Sequence, residues 1–135
     1  MNSENELKLI PIYETYMEYM IQVLIKLPRT EKFSIGTDFK QLMYSTLEDV
    51  MYISKLPKIQ RLNYLNKIDA KLNTQRILLR IMKKFAWIDI KKFNTAMGHI
   101  YEIGKILGGL IKYYAKKSTK SVWQIFNLWK TFRST

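Results

Sequence analysis

Residues 101–112 read Tyr-Glu-Ile-Gly-Lys-Ile-Leu-Gly-Gly-Leu-Ile-Lys, and this stretch decides the fold. Its apolar spacing predicts a helix, although each glycine inside a helix costs ~1 kcal/mol relative to alanine. Gly104 lies in the row predicted to face the core and Gly108 lies at its edge, so a neighbouring backbone can approach closely there. The predicted row follows the alternating three- and four-residue steps of a heptad seam: Ile90, Phe93, Met97, Ile100, Gly104, Leu107, Ile111 and Tyr114.

A second apolar surface is predicted on the back of the same helix, around Gly109. A helix that is apolar on two faces packs on two sides. One side belongs to its own bundle, and two interpretations of the other stay open: tight packing within the chain, or contact with a second subunit. The residues assigned to the predicted oligomer interface are Gly104, Ile106, Gly108, Gly109, Leu110 and Tyr113.

The composition is typical of one globular domain. The chain has 135 residues, is 47% hydrophobic and contains no cysteine, which excludes disulfides and thiolate chemistry. No apolar run approaches the ~18 residues of a membrane span, and the polar, acidic residues 1–6 differ from a signal peptide. We therefore expect a soluble, cytoplasmic protein.

The net charge of +12 is unevenly distributed along the chain. Residues 1–54 hold five basic and eight acidic residues, a net charge of −3. Residues 55–135 hold 18 basic and three acidic residues, a net charge of +15. Such segregation indicates a polyanionic partner for the second half of the chain. Nucleic acid is the commonest such partner; an anionic membrane or an acidic protein is the alternative.

Four long amphipathic helices joined by short loops predict an all-α, up-down-up-down four-helix bundle over residues 1–116. Pro11 fits only near a first turn, so the first helix is expected to begin near Ile10. Ser34 and Asp89 are the predicted N-caps of the second and fourth helices. The third helix is expected to run from Lys58 to residue 85 or 87, with Ala86 in its inward row.

Residues 117–135 are predicted to form a basic linker followed by a short amphipathic helical extension. Its aromatic residues Trp123, Phe126 and Trp129 are the candidate partner-docking residues. Three interpretations stay open: packing on the bundle, docking to a partner, or anchoring at a membrane surface.

Signals for catalysis are close to absent. His99 is the only histidine, so no histidine-rich metal set or Ser-His-Asp arrangement can form, and a surface or partly buried structural role is expected for it. The glycines lie inside a helix and no phosphate-binding loop follows them. We predict a protein that is not an enzyme and that has no cofactor or metal.

Basic residues at helical spacing form the candidate nucleic-acid surface. One stripe lies on the third helix and a second on the fourth, where successive cations can each reach a phosphate. The alternative is a solvated helix face, and base-specific recognition is not implied. The candidate residues are Arg76, Arg80, Lys83, Lys84, Lys91, Lys92, Lys105, Lys112 and Lys116.

Three segments resemble a known family. The proline-basic entry to the second helix (27–36), the arginine-containing stretch of the third (72–80) and the glycine-glycine segment of the fourth (102–112) occur in the same order in two related groups. These are the accessory variability determinant (Avd) proteins of diversity-generating retroelements and the ribosomal-RNA intervening-sequence proteins, both small four-helix bundles.

The resemblance implies more than the fold. It implies a positively charged homopentameric ring that binds the retroelement reverse transcriptase together with RNA or DNA and supports mutagenic cDNA synthesis. Two alternatives stay open: an intervening-sequence type of nucleic-acid-binding bundle without a polymerase partner, and a membrane-surface or toxin-like bundle.

Overall fold

The chain folds into four long helices and one short one, with no strand among the described residues. A computed structural model describes the backbone of residues 2–133 and the side chains of residues 6–117 and 126–131. The long helices pack in the cyclic order α1, α3, α4, α5, each against two others, which is the predicted up-down-up-down bundle. The helices are α1 (Asn2–Ile25), α2 (Arg29–Lys32), α3 (Ile35–Ile53), α4 (Lys58–Lys84) and α5 (Ile90–Arg133).

The inward rows of α1, α3 and α4 are largely those that the heptad spacing predicts. Their apolar members interlock in one continuous core, which the structure shows to be closed to solvent. Heptad spacing places the following apolar residues in these rows, and the structure buries all of them: Tyr13, Tyr16, Met20, Val23, Leu27, Phe39, Met43, Val50, Ile53, Leu65, Ile68, Leu72, Leu79 and Met82.

A layer of polar side chains crosses the middle of this core. Gln75 donates hydrogen bonds to the hydroxyls of Tyr13 (3.3 Å) and Thr46 (3.1 Å), and its Oε1 accepts one from Tyr16 (2.6 Å). The Tyr13 hydroxyl in turn donates to the carbonyl of Met43 at 2.7 Å. Because these fully buried groups satisfy one another, sliding α1, α3 or α4 along its axis would leave polar atoms without partners.

The expectation that α1 begins near Ile10 is wrong. The helix runs from Asn2 to Ile25 with Pro11 in its interior. Proline removes the N–H that would bond the carbonyl of Leu7, and both Leu7 and Pro11 are exposed. Water can reach the freed carbonyl, so the helix tolerates the proline on this side.

The inward row of α5 differs from the predicted one. Ile90 is 56% exposed, whereas Leu110, which was predicted on an outward-facing surface, is completely buried in the chain's own core. The assignment of Leu110 to an oligomer interface is therefore wrong. Two adjacent apolar rows run along this helix, and periodicity alone does not choose between them. The observed row is Ala96, Ile100, Ile103, Leu107, Leu110 and Tyr114.

Helix α4 ends at Lys84, before either of the two expected ends at residues 85 and 87. Ala86, predicted in the core, is exposed and has a φ of 59°, in the left-handed region. The N–H of Trp87 bonds the carbonyl of Met82 and the N–H of Ala86 bonds that of Lys83, both at 2.9 Å. These are the two hydrogen bonds of a Schellman motif, in which the left-handed residue is usually glycine.

Of the two predicted caps, one works as expected. Asp89 Oδ1 accepts a hydrogen bond from the backbone N–H of Lys92 at 2.7 Å, which confirms it as the cap of α5. Ser34 occupies the N-cap position of α3, but its hydroxyl instead donates to the carbonyl of Thr30 at 3.2 Å. The short α2 occupies the predicted loop before it and supplies that acceptor.

The backbone of α5 continues well past the bundle. Tyr114, the last core residue, donates to Glu6 at 2.7 Å and accepts from Arg61 at 3.0 Å, which ties α5 to the start of α1 and of α4. Residues 115–133 continue the same helix, where a linker had been predicted, and extend ~28 Å at 1.5 Å per residue. The division of the chain at residue 116 stays a prediction.

Candidate nucleic-acid interface

The segregation of charge along the sequence becomes a segregation in space. Helix α4 has eight basic residues and one acidic residue, and α5 has nine basic residues and one acidic residue. These two helices are neighbours and pack more closely on one another than any other pair. One side of the bundle therefore carries most of the positive charge.

Three of the four cations in the first half of α4, all except Lys58, lie close to carboxylates of other helices. Arg61 Nη1 lies 3.2 Å from Glu6 Oε1, and Lys71 Nζ lies 2.6 Å from Asp49 Oδ2. Lys67 Nζ lies 3.9 Å from the other oxygen of Asp49. These ion pairs hold α4 to α1 and α3, so this half of α4 offers little net charge to a partner.

The cations at the other end of α4 have no such partners. Arg80, Lys83 and Lys84 are exposed, and none of the carboxylates on described side chains lies within ion-pair distance of them. The ammonium of Lys83 sits 4.6 Å from the ring centroid of Phe93 on α5, a cation–π contact. Lys83 and Lys84 also complement the helix dipole in the last turn, which gives them a structural role besides any ligand.

Arg76 bridges α4 and α5. Its side chain is half-buried, and Nη1 donates to Asn73 Oδ1 on the same helix. A Cβ placed on Gly104 would lie 2.9 Å from Arg76 Nη2, so the arginine occupies the space that a side chain at position 104 would need. Within one chain, therefore, a side chain at position 104 would have to displace the flexible end of Arg76.

The outward face of α5 carries the second stripe. Lys105, Lys112 and Lys116 are all exposed. Gly108 and Gly109 lie one turn from both Lys105 and Lys112, and a Cβ on either glycine would meet no described atom within 4 Å. The surface between these lysines is therefore bare helix backbone, which a ligand or a second chain can approach closely.

The two lysines at the start of α5 are less favourably placed for binding phosphate groups. Lys91 is exposed, whereas Lys92 is half-buried and its carbonyl accepts a hydrogen bond from the Tyr19 hydroxyl at 3.4 Å. Both lie in a first turn, where the helix dipole disfavours positive charge. Of the predicted set, the structure brings Arg76 and Lys83 into contact with α5 and leaves Lys91 at the end of the bundle.

An exposed aromatic residue beside the basic cluster was missed by the sequence analysis. Phe85 is 64% exposed and stacks on Trp87, with ring centroids 5.0 Å apart and planes inclined by 18°. Stacked aromatic rings beside cations are the kind of surface on which nucleic-acid bases stack. The signal that could have found it is the adjacency of Lys83, Lys84 and Phe85 in the sequence.

The remaining predicted residues belong to the oligomer interface and to the partner-docking set. Ile106 and Tyr113 are half-buried and pack against the core, which leaves Gly108 and Gly109 as the accessible glycines of the predicted oligomer interface. Phe126 and Trp129 are both about half exposed, and their rings stack with centroids 6.3 Å apart. The side chain of Trp123 lies outside the described residues.

His99 has the structural role expected of it. It is half-buried on α5, and its ring centroid lies 5.4 Å from that of Tyr19 and 6.3 Å from that of Tyr16. Among the described side chains, histidine and acidic residues form no cluster suited to a metal ion.

The fold and the charge distribution define a basic, helical-bundle class of protein. The bAvd-like family model matches residues 8–114, most of the chain, and the protein belongs to this family. Its members are in general accessory, non-catalytic proteins. No curated protein matches the chain significantly. Within the described residues, no helix has the length and apolarity needed to cross a membrane.

Proposed function

We propose that this protein is a non-enzymatic accessory subunit of a diversity-generating retroelement. It binds the reverse transcriptase and holds the template RNA or the nascent cDNA on its basic α4–α5 surface, and so supports mutagenic cDNA synthesis. Membership of the bAvd-like family supports the accessory role, since association with a reverse transcriptase is a general feature of that family.

The observation that carries the nucleic-acid part of the proposal is the set of unpaired cations at the end of α4. Arg80, Lys83 and Lys84 face solvent without acidic neighbours among the described side chains, whereas Arg61 and Lys71 are neutralised. Binding through such cations is driven by the release of counterions from the phosphate backbone, so it weakens steeply with salt and reads little sequence.

In the proposed assembly the chain forms a homopentamer. The bare backbone at Gly108 and Gly109 allows close approach of a second chain. A ring would repeat the basic surface once in each subunit. Several weak contacts with one nucleic-acid strand would then combine to give a higher overall affinity.

A pair of charge-reversal variants tests the nucleic-acid surface. Arg80→Glu with Lys84→Glu should lower the affinity for single-stranded RNA and DNA at least tenfold in fluorescence anisotropy, and should flatten the dependence of log Kd on log salt by about one unit per lost phosphate contact. The matched control is Lys8→Glu with Lys26→Glu, which changes the net charge equally at exposed positions near α1. Equal losses of affinity in both variants would show that only the net charge of the protein matters. That result would contradict a binding surface localised at the end of α4.

Co-purification from the native host tests the partner. Recovery of a reverse transcriptase with a structured RNA supports the accessory role. Recovery of ribosomal RNA alone would contradict it in favour of an intervening-sequence type of bundle, and recovery of neither would contradict both.

A further inference from the structure

The turn between α4 and α5 holds one aromatic ring against another at the surface. Phe85 caps α4, Ala86 has a φ of 59° and Trp87 follows, so the left-handed residue stands between the two rings. The ring centroids are 5.0 Å apart and the planes are inclined by 18°. One face of Phe85 therefore lies against Trp87 and the other is directed away from it, and Phe85 is 64% exposed. We call this pair the Phe85–Trp87 platform.

The platform is ordered by the bundle beneath it. Trp87 is half-buried and packs against the core. The backbone N–H of Phe85 bonds the carbonyl of Ile81 at 3.1 Å, and the N–H of Trp87 bonds the carbonyl of Met82 at 2.9 Å. A ring that is already fixed loses little conformational freedom when a ligand stacks on it, so this geometry favours binding.

Cations flank the platform along the chain on both sides, which decides the kind of flat ligand that it suits. Residues 76–92 contain six basic residues and one acidic residue, Asp89. The Asp89 carboxylate caps α5, where it accepts a hydrogen bond from the backbone N–H of Lys92 at 2.7 Å. An open ring face within a positively charged segment suits an aromatic ligand that carries negative charge, and a nucleotide is such a ligand.

Arg80 and Lys84 lead along α4 to the platform. They are four residues apart and both exposed, so they lie on the same face of the helix. Arg80 precedes Phe85 by five residues, ~7.5 Å along the helix axis. This distance is about the rise of two stacked nucleotides, at ~3.4 Å each. A strand that stacks one base on Phe85 can therefore place neighbouring phosphates near both cations.

We propose that the Phe85–Trp87 platform stacks one unpaired base and so makes the end of α4 a site for single-stranded nucleic acid. This inference rests on the proposed function and names the form of nucleic acid that the basic surface takes. A base inside a duplex is paired and stacked on its neighbours, so a protein ring reaches its face only after the base has been flipped out. An unpaired base offers a π-face whatever its identity, so the platform accepts RNA and DNA without reading sequence.

The position of the platform is compatible with the proposed homopentamer. Gly108 lies 18 residues beyond Ile90, the first residue of α5, and so ~27 Å along the helix axis. The glycines at which a second chain is proposed to approach are therefore far from the turn. Each subunit of a ring would carry one platform, and a single strand could stack bases on successive subunits.

Strands with and without bases separate stacking from phosphate binding. One probe is a thymine-containing DNA strand of about 12 nucleotides, and the other is a strand of equal length in which every nucleotide is abasic. Both probes carry the same phosphates. Wild-type protein should bind the base-containing strand at least fivefold more tightly in fluorescence anisotropy, and Phe85→Ala should remove this difference without changing the affinity for the abasic strand. Equal affinity of the wild-type protein for the two strands would overturn the proposal.

Matched variants distinguish stacking from other effects of the substitution. Phe85→Tyr keeps the ring and should keep the preference for the base-containing strand, whereas Phe85→Leu keeps an apolar side chain and should lose it. Tyr44→Ala removes an exposed ring from α3, outside the two basic helices, and should change neither affinity. A Phe85→Leu protein with the full preference, or a Phe85→Ala protein that binds both strands equally more weakly, would overturn base stacking.

The same two probes distinguish failure of this inference from failure of the proposed function. Arg80→Glu with Lys84→Glu should weaken the binding of both strands by the same factor, because these cations act on the phosphates. If that variant behaves so while the wild-type protein does not prefer the base-containing strand, the basic surface is supported and the platform is overturned. A wild-type protein that binds neither strand would overturn both proposals.

Discussion

The guanidinium of Arg76 lies over Gly104, so that a Cβ on Gly104 would be 2.9 Å from Arg76 Nη2. This relationship explains one glycine of a helix that contains four. At the other three, Gly98, Gly108 and Gly109, an added Cβ would have no described atom within 4 Å. An alanine at position 104 would therefore displace the end of the Arg76 side chain, whereas at the other three positions no described atom would have to move.

Gly104→Ala should stabilise the protein less than Gly98→Ala does. Both replacements gain ~1 kcal/mol of helix propensity, but at position 104 the arginine must first move aside. In an Arg76→Ala background the two gains should become equal, as a urea-unfolding double-mutant cycle would measure. Equal gains already in the wild-type background would show that Arg76 does not occupy this space.

Tyr16→Phe should destabilise the protein by about 1–3 kcal/mol. The change leaves Gln75 Oε1 buried without its 2.6 Å donor, and an unsatisfied buried acceptor costs that much. Chemical denaturation of Tyr44→Phe, which alters an exposed ring, supplies the control and should differ from wild type by less than about 0.5 kcal/mol. Similar losses at both positions would contradict the importance of the buried polar layer.

Stability should fall at alkaline pH through the buried tyrosines. Burial raises the pKa of Tyr13 to about 12 and also raises that of Tyr16, against an ordinary value of 10.0. The folded state holds these protons more tightly than the unfolded state, so the stabilisation is complete below pH 10 and is lost as pH rises towards 12. For Tyr13 this loss is about 2–3 kcal/mol.

Urea unfolding between pH 8 and 11.5 would measure this loss. Tyr13→Phe should make the decline shallower, while the exposed Tyr44→Phe should keep the wild-type slope, since lysine ionisation affects both alike. A Tyr13→Phe protein that declines as steeply as wild type would contradict the assignment.

Ala86→Gly should raise the free energy of unfolding by about 1 kcal/mol. Ala86 has a φ of 59°, a conformation that costs an L-residue ~1–2 kcal/mol and glycine much less, although the freer unfolded chain offsets part of the gain. Thermal unfolding would measure the difference, and Ala70→Gly, in the interior of α4, should do the opposite. A destabilised Ala86→Gly protein would show that the left-handed turn is not adopted in solution.

Gly109→Glu should lower the oligomeric mass seen by light scattering. The position is exposed and has open space around it, so the single chain accommodates the side chain without strain. Helical circular dichroism should therefore stay unchanged. Gly98→Glu, equally open but about three turns away, is the matched control, and a full-mass Gly109→Glu oligomer would remove this residue from the subunit interface.

The sequence predicted well wherever one face of a helix was apolar and the others were polar. Tyr13 and Leu72 are buried as their heptad positions require. It failed on α5, where neighbouring rows are both apolar, so that Leu110 and Ile90 were exchanged between inside and outside. Ala86 was misplaced because its left-handed turn depends on hydrogen bonds to Met82 and Lys83 that no local propensity encodes.

The candidate site was predicted as a set of residues but not as an arrangement. Spacing alone placed Arg76 and Arg80 on one stripe of α4. It could not show that Arg76 leans onto Gly104 while Arg80 stays exposed, nor that Glu6 and Asp49 neutralise only the first half of α4. These distinctions arise from contacts between helices that are distant in the sequence.

Because α5 is unbroken, the direction in which Phe126 projects from the helix is fixed relative to that of Lys112. Lys112 and Phe126 lie on one rod, 14 residues and ~21 Å apart, and each residue turns the rod by ~100°. One residue inserted between them would rotate Phe126 by about a quarter-turn around the helix axis relative to Lys112. Seven inserted residues would nearly restore its bearing while lengthening the rod by ~10 Å. Reach and direction are therefore separable quantities in this helix, and insertions of chosen length can vary one while holding the other almost constant.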